Sequence, residues 1–248
     1  MRLATILFVL VSWLSGCSLL PDQIDETKDW SAQKLYSEAT DSMNDSDWER
    51  AIDLFEKLEA RYPFGRYAQQ ALLESAYAYY KYDEPDSAIS ALDRFIKTYP
   101  RQPNLDYAYY LRGLVNFTRG DTFMDRILPR NEAERDAGAA RQSFFDFAEV
   151  IKRFPESRYA EDAGLRMVYL RNNLAQYEMH VADYYMRRGA YVAAANRAKT
   201  VVENYDGTPA VPTALETLVQ SYRKLGLNDL AAASERVYKL NYPDRALP

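Results

Sequence analysis

The 248-residue sequence contains one cysteine, one histidine and nine glycines. A lone cysteine permits no internal disulfide and no cysteine-rich zinc site. A lone histidine, His180, excludes multi-histidine metal sites, and no nucleophile–base pair stands beside it. Neither GxGxxG nor the GxxxxGK run of a phosphate-cradling loop occurs. Positive charge is also scarce: 31 Lys and Arg face 36 Asp and Glu, a net charge of −5. A basic nucleic-acid footprint is therefore not expected. What is abundant is tyrosine, with 21 residues. The inventory describes a binding protein, not an enzyme, with no metal and no dissociable cofactor.

Long apolar runs are missing too. The one from Leu3 to Leu14 falls short of the roughly 20 residues that span a bilayer. With Arg2 before it and Ser15-Gly16 after it, the run reads as a secretory signal. Leu14-Ser15-Gly16-Cys17 matches a bacterial lipobox. The expectation is cleavage after residue 16, with S-diacylglycerol and N-acyl chains on Cys17. Two such chains anchor stably, at about 0.8 kcal/mol per buried CH₂. Ser18, in place of Asp, directs the expectation to the outer membrane. Residues 17–29 then form the acylated cysteine and a tether, with a proline and several charges.

From Trp30 onward apolar residues recur at three- and four-residue spacing, the period of helices. Aromatic-Pro pairs repeat at Tyr62-Pro63, Tyr99-Pro100, Phe154-Pro155 and Tyr242-Pro243, with Tyr205-Asp206 as a degenerate copy. Twelve residues before the first three prolines stand Ala51, Ala88 and Ser143. Eight before them come Phe55, Leu92 and Phe147, and five before them Leu58, Phe95 and Val150. Ala39 and Ala76 lie another twelve residues upstream. Small residues at this spacing, closed by a proline, form the tetratricopeptide pattern. Small side chains let paired helices approach, and the proline stops the second helix.

The pattern predicts an all-α fold, an α-solenoid of about five tetratricopeptide-type helix pairs. The pairs fall near 31–43 and 47–61, 66–82 and 85–98, 104–119 and 135–153, 158–187 and 190–204, and 210–225 and 228–241. Ser46 and Glu49 suggest a capping box, and Gly189 and Gly226 mark turns. An insertion at 121–138 parts the third pair. Residues 30–155 are read as N-terminal repeats and 156–245 as C-terminal repeats. First helices should line a concave face. They are loaded with tyrosine in AYAYYKY (76–82), DYAYY (106–110) and DYYMRR (183–188). Most of these rings are expected to pack between helices, and the remainder to bind side chains and backbone of an unfolded partner.

The runs RYPFGRYAQQ (61–70), LDRFIKTYP (92–100), PNLDYAYYLRGL (103–114), FFDFAEVIKRFPESRYAEDA (144–163) and VADYYMRRGAYVAAANR (181–197) carry a specific resemblance. In order, and behind a lipobox, they resemble the YfiO/ComL family of outer-membrane assembly lipoproteins. The resemblance implies a lipid-anchored, non-enzymatic scaffold of the β-barrel assembly machinery on the periplasmic face of the outer membrane. It implies three kinds of partner: a BamA-type β-barrel subunit, BamC- and BamE-type lipoproteins, and unfolded β-barrel proteins as clients. Carried onto this chain, client binding falls to Tyr62, Phe64, Tyr67, Tyr79, Tyr107 and Tyr110. Partner docking falls to Arg188, Asn196 and Arg197. The alternative is another tetratricopeptide lipoprotein scaffold of the cell envelope, pilotin-like or peptidoglycan-associated.

Overall fold

A computed structural model of the chain describes residues 25–119 and 137–247. The signal, Cys17 and nearly all of the 121–138 insertion lie outside the described residues. Ten helices fill the described residues: α1 (Ala32–Asn44), α2 (Trp48–Arg61), α3 (Arg66–Lys81), α4 (Pro85–Thr98), α5 (Leu105–Thr118), α6 (Ala137–Arg153), α7 (Ala160–Arg187), α8 (Tyr191–Asn204), α9 (Val211–Lys224) and α10 (Asn228–Asn241). Each packs on the next, as a quasi-one-dimensional stack requires. Across pair boundaries first helices also touch one another, α1 with α3, α3 with α5 and α7 with α9. That places them on the inner side of the curve. Among the described residues no helix is long and apolar enough to cross a membrane.

The repeat spacing maps onto the core. Ala39, Ala51, Phe55, Leu58, Ala76, Ala88, Leu92, Phe95, Ser143, Phe147 and Val150 are all buried. The degenerate fourth copy keeps the same register, with Ala182, Ala194, Ala198 and Val201 fully buried. The aromatic of each pair caps the second helix. Tyr62, Tyr99, Phe154, Tyr205 and Tyr242 each donate the backbone N–H to the carbonyl four residues back, at 2.8–3.0 Å. Tyr205 does so without a proline behind it, so the cap is set by backbone geometry and the proline only forbids continuation.

One local expectation is overturned. Ser46 does not cap α2; Asp47 does, its Oδ1 accepting from the Arg50 N–H at 3.2 Å. Ser46 instead sits in the left-handed region at φ 61°. The reason is the turn within the pair, which needs one left-handed residue. Asp83, Gly189 and Gly226 fill the same place in their own pairs.

The core divides into three clusters along the stack. The first joins α1, α2 and α3. The second runs from α3 to α7, and the third from α7 to α10. Packing continues across 155–156, since Phe154 and Tyr159 rest on the same cluster. The hand-over occurs inside α7, between Leu170 and Ala175. At 28 residues, α7 is about 42 Å long and belongs to two cores. At the other end, Asp25 and Thr27 are hydrogen-bonded to Arg61, which docks the end of the tether against α2.

Candidate binding surfaces

The helix period determines which face of each first helix turns inward; the gaps between them depend on side-chain size. Where α1, α3, α5 and the start of α7 converge, a cavity of about 350 Å³ opens. Met43, Leu73, Glu74, Tyr77, Tyr107 and Tyr159 are among its lining residues, with Arg158 at its edge. Tyr107 and Tyr159 bring their rings within 5.5 Å of each other. Burial, and then the charge of Glu74, push the Tyr107 hydroxyl well above the ordinary tyrosine range. Glu74 is itself half-buried, and desolvation alone raises its carboxyl above the usual carboxylate range. The surface is aromatic and carries one desolvated acid.

The six aromatic residues singled out for clients are placed unequally. Tyr107 lines this cavity. Phe64 stands in the connection before α3, 89% exposed and free for contact. Tyr62 is exposed at the ring, but its hydroxyl donates to the Trp30 carbonyl at 2.9 Å. Tyr67 packs in the first core, its ring 5.5 Å from Tyr36. Tyr79 is hydrogen-bonded to Glu56. Tyr110 stacks on Tyr159 at 4.7 Å and donates to Asp162 at 2.6 Å. Tyr77, from the tyrosine-loaded AYAYYKY run, completes the cavity together with Tyr159 and Glu74, which the sequence did not mark. Tyr159 stands among charged residues just after the Phe154-Pro155 pair, and Glu74 holds an ordinary helical polar position.

The three docking candidates gather at the far end of α7 and on α8. Arg188 caps α7, its guanidinium 5.0 Å above the Tyr184 ring. Asn196 and Arg197 line a hollow of about 350 Å³ together with Tyr185, Ala193 and Thr200. Arg197 is already engaged within the chain: its Nη1 donates to Glu178 Oε2 at 2.9 Å. Arg141 from α6 donates to the other oxygen at the same distance. Glu178 is only 2% exposed, so two arginines from flanking helices neutralise one buried acid. Its signal in the sequence is an acid between Ala175 and Ala182 on the buried face of α7.

No group of three or more His, Cys, Asp or Glu residues poised for a metal occurs among the described residues. Five stacked helix pairs with an aromatic inner groove define a tetratricopeptide-type α-solenoid, a scaffold that offers surfaces. The chain belongs to the YfiO family, described as an outer membrane lipoprotein, which matches residues 28–239. It is 48% identical over 217 residues to the outer membrane protein assembly factor BamD of Neisseria meningitidis, covering 88% of this chain and 81% of that one. It is 36% identical over 231 residues to BamD of Vibrio cholerae, covering 93% and 95%. Against the solved P58(IPK) TPR domain the identity is 17% and the TM-score 0.44, covering 86% of this chain and 52% of that one.

Proposed function

We propose that this chain is a non-catalytic scaffold of outer-membrane protein assembly, anchored by lipid on Cys17 to the periplasmic face of the outer membrane. Its N-terminal repeats receive segments of unfolded β-barrel proteins. Its C-terminal repeats dock a BamA-type subunit through Arg188, Asn196 and Arg197, with BamC- and BamE-type lipoproteins as further partners.

The observation that carries the client half is the aromatic cavity of Tyr77, Tyr107 and Tyr159, with exposed Phe64 in the neighbouring connection. A barrel strand outside the membrane carries apolar and aromatic side chains, and its edge groups find no partners in lipid until the barrel closes. A surface of tyrosines holds such a segment at low entropic cost and leaves release possible. A lipid tether keeps that surface at high effective concentration near the site of insertion. Membership of a family of outer membrane lipoproteins, with relatives named assembly factors, supports the same reading.

The test is photo-cross-linking from positions 64, 77 and 196 in intact envelopes. Barrel precursors captured at 64 and 77, and a β-barrel subunit at 196, are the expected outcome. The same partner at all three positions would overturn the division. For the anchor, Cys17→Ser should move the chain from the membrane fraction to the soluble periplasm.

A further inference from the structure

A third cavity, of about 330 Å³, lies between α6, α7 and α8. Phe144, Phe145 and Leu174 give it apolar walls, and Tyr205 closes one end. Phe145 is 62% exposed, although no side chain of this size gains from facing water. Arg171 reaches into this lining. Its Nε is buried without a hydrogen-bond partner, the one such side-chain atom among the described residues. Among the described residues no ion pair compensates it. Glu178, the acid in the same lining, has both oxygens taken by Arg141 and Arg197. The turn after α8 presses close, with Arg171 Nη2 4.0 Å from where a Cβ on Gly207 would stand.

A buried guanidinium Nε–H given no acceptor is unfavourable for the fold. Buried donors are satisfied almost everywhere else, so an exception calls for a reason beyond stability. We infer that this cavity is a docking site for a partner protein that presents an acidic side chain next to an aromatic one. The ring enters between Phe144, Phe145 and Leu174, and the carboxylate meets the guanidinium of Arg171. Charge complementarity selects the anion, because Arg171 is the cation in the lining that Glu178 does not neutralise. Arginine suits the task, since its planar fork matches a carboxylate bidentately. The apolar walls favour a protein segment over a lipid headgroup, which would bring phosphate without a ring.

The inference is independent of the client groove. Its test uses the full mature chain with two capped dipeptides, acetyl-Phe-Glu-amide and acetyl-Phe-Gln-amide. The readout is the Nε–Hε cross-peak of Arg171 in ¹⁵N NMR. The glutamate peptide should give a saturable shift at least tenfold tighter than the glutamine peptide. Arg171→Met should weaken binding of the glutamate peptide at least tenfold, read from the backbone amide shifts of Phe144, Phe145 and Leu174, and leave Tm unchanged or raised. Equal responses to the two peptides would overturn the proposal. So would an equally strong shift with inorganic phosphate, or a Tm several degrees lower in Arg171→Met, which would make the residue structural.

Discussion

Glu178 is clasped by Arg141 and Arg197 at 2.9 Å on each side, and the three residues tie α6, α7 and α8 together. Removing one partner leaves a buried carboxylate half-satisfied, a loss of about 1–3 kcal/mol. Arg197→Leu and Arg141→Leu should each lower the urea midpoint by amounts in that range. Replacing Glu178 and both arginines with leucine should recover most of the loss, because no buried charge remains. The comparison also separates structure from docking. Both arginines support Glu178 equally in geometry, so weaker binding of a partner in Arg197→Leu alone would assign Arg197 to the interface.

Gly113 on α5 packs directly against Phe147 on α6. A Cβ added there would lie 2.6 Å from Phe147 Cε1, inside a fully buried contact. Ser143 fixes the same crossing by donating to the Gly113 carbonyl at 2.9 Å. Gly113→Ala should therefore destabilise by about 1–3 kcal/mol through overpacking. Phe147→Leu in the same chain should return part of that loss in a denaturation experiment. Were the double variant no better than the single, the clash would not be the cause.

These two contacts mark where the sequence stops being legible. Ala51, Ala88, Phe55 and Leu58 announce themselves because one repeated spacing encodes one repeated helix contact. Gly113 stands in a recognisable motif, yet nothing in its own chain segment names Phe147 as its neighbour. Glu178 and Asp146 look like ordinary polar positions on helices. Asp146 is buried and bonded to Arg112, Asn116 and Gln142, two of them on another helix. The tyrosines show the same limit. Helix period says which ring turns inward, but Tyr110 is committed to Tyr159 and Asp162 only through contacts more than forty residues away.

The turn within each pair makes a third prediction. Ser46 and Asp83 hold left-handed backbone at φ 61° and 65°, where the fourth and fifth pairs carry glycine. An L-residue with a Cβ is held there at about 1–2 kcal/mol, offset by the greater entropy glycine loses on folding. Ser46→Gly should raise stability by about 0.5–1 kcal/mol, read from the urea midpoint. Asp83→Gly should gain less, because aspartate tolerates this region better. A destabilised Ser46→Gly would show that its side chain contributes more than the strain removes.

Glu74 gives the pH dependence its sign. Desolvation raises its carboxyl above the ordinary value of 4.5, and no hydrogen bond opposes the shift. Below pH 4.5 it is protonated in both the folded and the unfolded chain, and burial penalises no charge. As pH rises, the unfolded chain releases this proton first, so folded stability falls until the raised value is passed. Above that raised value the whole penalty is present. Glu74→Gln should therefore be more stable than the parent at pH 7, and the gain should vanish at pH 4. Paired thermal melts at the two pH values measure this directly. The acid sits in the cavity with Tyr77, Tyr107 and Tyr159, so a stability gain accompanied by weaker client cross-linking at position 77 would tie the desolvated charge to the groove's function. A gain that is the same at both pH values would remove Glu74 ionisation as its source.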